Sequence, residues 1–140
     1  MKIIYTYGAW DLLHPGHIKL LKRARALGDY LIVGVVGNNA IKELKGKDRP
    51  VQTQQDRAMI VEHIDLVDEV MLQEIYDPSA NLKQLVSEGK SVAILAKGDD
   101  WSYIPGTETI EQLGGILVKF SYSKGFSTSD TVKKIKEPTT

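Results

Sequence analysis

Short apolar runs alternate with longer amphipathic stretches along this chain. Ile3, Ile4 and Tyr5 begin an apolar run that ends at Gly8, which predicts a strand from Lys2 to Tyr7. Ile18, Leu20, Leu21, Ala24 and Leu27 then recur at helical spacing up to Gly28, and a glycine just past the last periodic residue is a common helix stop. "YLIVGVV", from Tyr30 to Val36, is almost wholly apolar, the pattern of a strand buried on both faces. Strand, helix and strand in that order make a βαβ unit. Downstream, the pattern predicts helices over Gln54 to Ile64, Ser79 to Ser87, Glu108 to Leu113 and Ser129 to Lys136, with strands over Val67 to Leu72, Ser91 to Ala96 and Ile116 to Ser121. This alternation implies a Rossmann-like α/β fold: a doubly wound, mostly parallel five-stranded sheet with helices on both faces. Ligands of such sheets bind outside the carboxyl ends of the strands, so chemistry is sought on those loops.

Composition narrows the picture without identifying a reaction. The 140 residues suit one domain, expected to span 1–136, with "KEPTT" reading as a frayed end that leaves 137–140 as a tail. Eighteen basic and eighteen acidic residues cancel, so net charge offers no case for a nucleic-acid or anionic-membrane partner. The chain has no cysteine, which excludes disulfides and thiolate chemistry and agrees with a reducing compartment. The first residues read as a strand rather than a signal peptide, and no apolar run approaches the roughly 18 residues that span a bilayer. A cytoplasmic location with no membrane partner is the expectation.

Two of the three histidines stand together in "DLLHPGHIKLL". Pro15 suits the first position of a helix, where its missing N–H is no loss, so His14 falls near the N-cap and His17 about one turn later. Gly16 leaves room between them for an anion to approach free backbone N–H groups. Other readings of the pair stand beside this one: packing residues of a helix start, or metal ligands with Asp11 nearby, although no full ligand set is specified.

"GAWDLLHPGHIKLLKRARALGDYLIVGVV" resembles the opening of the cytidylyltransferase-like nucleotidyltransferases, whose first βα loop carries a Gly-x-Phe-Asp-x-x-His-x-Gly-His stretch. Gly8, Asp11, His14, Gly16 and His17 stand in place, with Trp10 where phenylalanine is usual. "LKGKDRPVQTQQDRAMIVEHIDLVDEV" is similar to the family's flexible basic loop and following helix, "KGDDW" to its Gly-Asp-Asp-Trp stretch, and "YSKGFSTSDTVKKI" to its Gly-Ile-Ser-Thr-Thr segment. The resemblance implies nucleotidyl transfer from a nucleoside triphosphate to a small phosphorylated acceptor, with release of pyrophosphate. It makes His14, His17 and Lys45 the catalytic residues. It places Gly8, Ala9, Trp10, Asp11, Gly16, Gly98, Asp99, Asp100, Ser127 and Thr128 with them around the nucleotide, and Asp11, Lys47, Arg57 and Trp101 around the acceptor. It further implies Mg²⁺ accompanying the triphosphate, few or no protein ligands to that metal, and a homodimer. Replacing His17 by alanine is then expected to abolish turnover and spare thermal stability.

Each residue also has a plainer reading. Lys45 and Lys47 can belong to a solvated turn, "STSD" can cap a helix, Asp99 and Asp100 can end a strand, Trp101 can be core, and Arg57 can pair with Asp56 or Glu62. These readings do not explain why all fall on one predicted edge. Substrate identity is divided. "DLLHPGHIKLL", "LGDYL", "VDEV" and "GDDW" are most similar to glycerol-3-phosphate cytidylyltransferases, which make CDP-glycerol. "LKGKDRPV", the lysine at 97 and "GTETIEQLGG" look more like the adenylyltransferase domain that makes ADP-heptose. Asp65 and Tyr122 stand where the CDP-glycerol enzymes carry arginine, and lysine (Lys97, Lys119 or Lys124) is not a bidentate replacement. CTP with a polyol phosphate is placed first, ATP with heptose 1-phosphate second, and a non-catalytic CTP or ATP sensor third.

Overall fold

Every strand predicted from the apolar runs is present, and all join a single sheet. The computed structural model describes residues 1–98 and 101–121. Within them the elements run β1 (Ile3–Gly8), α1 (Pro15–Arg25), β2 (Tyr30–Val36), α2 (Asn38–Lys45), α3 (Gln54–Glu62), β3 (Glu69–Gln73), α4 (Ser79–Ser87), β4 (Val92–Gly98), α5 (Thr107–Gln112) and β5 (Ile116–Phe120). The strand order is β3-β2-β1-β4-β5, and every neighbouring pair is parallel. The helix expected over Ser129 to Lys136 and the tail 137–140 lie outside the described residues.

The period of two along β1 sorts its side chains between two cores. Ile3, Tyr5 and Tyr7 pack on one face with Ile41 of α2, Leu82 and Leu85 of α4 and Ile110 of α5. Ile4 packs on the other with Leu21 and Ala24 of α1 and Val61 of α3. The sheet is therefore covered on both sides, as a parallel sheet requires. All of β2 except Tyr30 is buried. Its Gly34 leaves room for the Tyr5 hydroxyl, which donates to Gln73 Oε1 at 2.6 Å and ties β1 to β3.

Several boundaries differ from the sequence pattern by one or two residues, and one element was not in it. Helix α1 stops at Arg25, because Leu27 and Gly28 N–H turn back to the carbonyls of Ala24 and Arg25. Strand β3 begins at Glu69, because Val67 N–H is held by the carbonyl of Ile64 at the exit of α3. Helix α2 was not expected. It buries only Ile41, too little for a periodic signal, and the Gly37-Asn38-Asn39 start reads as a turn. Lys45 is therefore the last residue of a helix rather than part of a loop, and Gly46 follows at φ 101°.

The chain winds outward from β1 to β3, then crosses back to place β4 on the other side of β1. That reversal opens a crevice between the carboxyl ends of β1 and β4. The loop from β1 to α1 flanks it. Among the described residues no helix is long and apolar enough to cross a membrane.

Candidate active site

The β1–α1 loop is held in a conformation that its sequence does not favour. Trp10 and Leu12 both have positive φ, 55° and 53°, at a cost on the order of 1–3 kcal/mol each for residues with a Cβ. Contacts around them offset it. The Trp10 ring is 3% exposed, and its Nε1–H donates to the carbonyl of Gly34 at 2.9 Å. Asp11 is 0% exposed; its Oδ2 accepts from Val51 N–H at 2.7 Å and its Oδ1 from Gln52 N–H at 2.9 Å. Leu12 N–H donates to Gln52 Oε1 at 3.1 Å. The loop is thus clamped to the segment entering α3.

From this clamp the chain enters α1 through the histidines. His14 is the N-cap, with Pro15 following. Its Nδ1 accepts from Gly16 N–H at 3.0 Å, while His14 N–H donates to His17 Nδ1 at 3.1 Å. This is a reciprocal capping box built from imidazoles in place of the usual hydroxyl and carboxylate. The rings lie 3.9 Å apart between centroids, and Trp10 backs His17 at 5.7 Å. Because each Nδ1 is an acceptor, each neutral ring carries its hydrogen on Nε2. Burial pushes the His17 pKa from its ordinary 6.5 to about 3, assisted by the neighbouring His14 and by the ammonium of Lys45. His17 is therefore neutral at pH 7. The same influence brings Lys45, exposed at the end of α2, into the electrostatic neighbourhood of the pair.

The free helix-start N–H groups expected at Gly16 are not available. Gly16 N–H is taken by His14 Nδ1, His17 N–H by the His14 carbonyl at 3.0 Å, and Pro15 has none. What the helix start carries is a pair of ring Nε2–H donors of fixed tautomer, that of His14 closed off from solvent. Beside them lies an open groove of about 560 Å³ lined by Leu13, His14, Pro15, Ile18, Lys19 and Lys22.

Three residues expected to touch ligand are placed differently. The Arg57 guanidinium is 0% exposed and donates to the carbonyls of Gln52, Ala9 and Val36 and to Asn38 Oδ1 at 2.7 to 3.0 Å. It joins the ends of β1 and β2 to α2 and α3, so it holds the site's frame and does not line its wall. Asp11, with both oxygens spent on backbone N–H groups, is likewise a clamp. The Trp10 indole belongs to the core. Burial lowers the pKa of Arg57 from its ordinary value, and Asp11 opposes that shift.

The remaining positions divide by location. Gly8 ends β1 against the Trp10 ring, and the carbonyl of Ala9 is one of the Arg57 acceptors. Gly98 ends β4. Lys97 just before it donates to the carbonyl of Tyr7 at 2.8 Å, lying 4.3 Å from the Tyr7 ring and 5.8 Å from that of Trp101. Trp101 is half-buried and packs on Tyr76 at 5.2 Å. Lys47 is exposed on the turn after α2. Asp99, Asp100, Tyr122, Ser127 and Thr128 lie outside the described residues. The structure adds Arg49, Gln52 and Asn38, which sequence reasoning missed. Polar residues in a charge-rich stretch read as surface, and no local signal marks them as buried partners of loops far away in the chain.

Among the described residues no three of histidine, aspartate and glutamate gather as a metal site. The carboxylate nearest the histidines in sequence, that of Asp11, has its oxygens committed.

Comparison with known proteins identifies the family. A family model described as cytidylyltransferase-like matches residues 5–122. The chain is 38% identical over 136 residues to the bifunctional protein HldE of Citrifermentans bemidjiense, covering 96% of this chain and 27% of that protein. It is also 38% identical over 137 residues to the bifunctional protein HldE of Helicobacter pylori, covering 96% and 28%. The chain thus spans about a quarter of the length of these relatives. Among solved structures, the lipopolysaccharide core biosynthesis protein from Thermoplasma volcanium superposes with a TM-score of 0.70 at 25% identity, over 89% of this chain and 99% of that one. Pantoate-beta-alanine ligase from Francisella tularensis shares the fold, with a TM-score of 0.54 at 17% identity over 96% of this chain and 69% of that one.

Proposed function

The chain belongs to the cytidylyltransferase-like family of nucleotidyltransferases, and we propose that it transfers an adenylyl group from ATP to a heptose 1-phosphate. The observation that carries the reaction type is the pair of imidazoles whose Nε2–H groups are fixed as donors, with the Lys45 ammonium nearby. The substrates rest on similarity: the HldE relatives, and the likeness of "LKGKDRPV", Lys97 and "GTETIEQLGG" to the domain that makes ADP-heptose. The order favoured by sequence, with CTP and glycerol 3-phosphate first, is thereby reversed. "DLLHPGHIKLL", "VDEV" and "GDDW" keep the cytidylyl reading as the second.

In the proposed reaction an oxygen of the acceptor phosphate attacks the α-phosphorus of ATP. A new P–O bond forms, the α–β bridge breaks, and pyrophosphate departs with the electron pair. The acceptor, a monoester with a second pKa of about 6, is already mostly dianionic at pH 7, so no general base is required. The protein's work is positioning and charge compensation. His14 and His17 donate Nε2–H to phosphate oxygens, and Lys45 at the end of α2 supplies positive charge. Trp10, Asp11 and Arg57 hold the loop that carries both donors. Mg²⁺ enters with the triphosphate as part of the substrate, its usual mode with nucleotides.

Pyrophosphate release by the purified chain tests this, with ATP or CTP against heptose 1-phosphate, glycerol 3-phosphate and ribitol 5-phosphate. Release with ATP and heptose 1-phosphate alone is expected. Release confined to CTP with a polyol phosphate overturns the substrate assignment. Nucleotide binding without release from any pair favours a sensor.

A further inference from the structure

The segment between α2 and α3 holds a guanidinium that its surroundings leave unfinished. Arg49 is 6% exposed, yet its Nε and Nη2 are sealed from solvent with no hydrogen-bond partner among the described residues. Its counter-charge, Asp11 Oδ2, lies 3.6 Å from Nε, an ion-pair distance too long for a hydrogen bond. Asp11 cannot close that gap cheaply, because its oxygens already hold Val51 and Gln52 N–H. Arg57 shows what a structural arginine looks like in the same neighbourhood: equally buried, it has all three nitrogens bonded to backbone or Asn38 oxygens. Buried polar groups are normally satisfied, and a guanidinium brings five donors. The unmet donors of Arg49 therefore ask for an acceptor from outside the chain.

Position and chemistry say which kind. Asp11 lies three residues before His14, and Arg49 four residues after Lys45, so the idle guanidinium adjoins both elements that carry the proposed phosphate donors. Its planar fork matches two oxygens of a phosphate group. We propose that Arg49 is a phosphate-binding residue of this site, positioned by Asp11 and completed by oxygens of a substrate phosphate; this rests on the nucleotidyl-transfer reading. Reaching the sealed nitrogens requires the turn after α2 to shift. Lys47 and Asp48 on that turn are exposed, and open space surrounds Gly46.

The phosphate belongs either to the triphosphate or to the acceptor, and kinetics separate the two. Arg49→Lys keeps the charge beside Asp11 and loses the fork; Arg49→Gln loses both. On the full chain, Arg49→Lys is expected to leave the thermal midpoint near wild type and raise one KM at least tenfold, with Arg49→Gln worse. A rise for ATP assigns Arg49 to the triphosphate, and a rise for heptose 1-phosphate assigns it to the acceptor. Calorimetric titration with ATP, pyrophosphate and inorganic phosphate reads the same contact without turnover, so it stands even if no substrate pair releases pyrophosphate. At least tenfold weaker binding of one of these by Arg49→Lys supports the proposal. Binding and both KM values unchanged in Arg49→Lys overturn it, as does a wild-type chain that binds none of the three.

Discussion

Replacing Arg57 by alanine separates a frame residue from a ligand contact. The guanidinium is wholly buried and donates hydrogen bonds to Ala9 and Val36 carbonyls and Asn38 Oδ1 at 2.7 Å and to the Gln52 carbonyl at 3.0 Å. Truncation to alanine leaves those acceptors facing a cavity. A hydrogen bond to a charged group contributes about 1.5–3 kcal/mol, and a buried group left unmet costs about 1–3 kcal/mol. Water entering the cavity recovers part of that, and desolvation of the cation is relieved, so the net loss is taken as about 3–5 kcal/mol, the range for breaking a buried charged pair. For a chain of this size that lowers the thermal midpoint by roughly 10–20 °C. Urea denaturation and differential scanning calorimetry measure it directly, with Arg57→Lys as the milder case. If Arg57 instead contacted the acceptor, alanine would leave the midpoint nearly unchanged and raise the acceptor KM. That pattern would refute the framing role.

Two further outcomes follow from the histidine pair. His17→Ala removes a phosphate donor and should lower kcat by about 10²–10³, the usual effect of losing one preorganised donor. It also removes the acceptor for His14 N–H, so a stability loss of about 1 kcal/mol, read by urea denaturation, replaces the unchanged midpoint that the sequence suggests. Unaltered kcat with a large drop in stability would make His17 structural. Acid should weaken the fold through the same ring. His17 in the folded chain sits near pKa 3 against an ordinary 6.5, so the unfolded chain takes up the proton first. Its contribution is complete above about pH 6.5 and is lost as pH falls toward 3, with roughly 2 kcal/mol gone at pH 5. Urea midpoints at pH 7 and 5 should show this slope in the wild type and a flatter one in His17→Asn. Equal slopes would place the ring in solvent.

Strands and most helices were legible because burial on sheet faces imposes periods that survive in a single sequence. "YLIVGVV" and Ser79–Ser87 appear with the expected bounds, whereas α2, with one buried residue, left no period to find. In the site, the histidines were legible from Pro15, Gly16 and the family pattern. Asp11 and Arg57 were legible from the family pattern as site residues but not as clamps, and Arg49 only as a charge, because their roles depend on contacts about 40 residues away in sequence, between the β1–α1 loop and the entrance to α3. No local spacing carries that wiring.

The wiring decides what kind of charge meets the substrate. A histidine pair beside a phosphate invites the view that two imidazolium ions neutralise it, but raising His17 from about 3 to 7 would require the substrate to favour the protonated ring by on the order of 5 kcal/mol. Part of such a shift is plausible when a polyanion replaces the depressing influence of Lys45, yet protonation would not displace the capping bond without further loss, because His17 Nδ1 accepts the His14 N–H and the added proton needs that same lone pair. The capping box and protonation of the ring therefore compete for one nitrogen. The arrangement keeps the capping bond and the phosphate contact only if the ring stays neutral and gives Nε2–H to the phosphate, leaving full positive charge to Lys45 and, on the proposal above, Arg49.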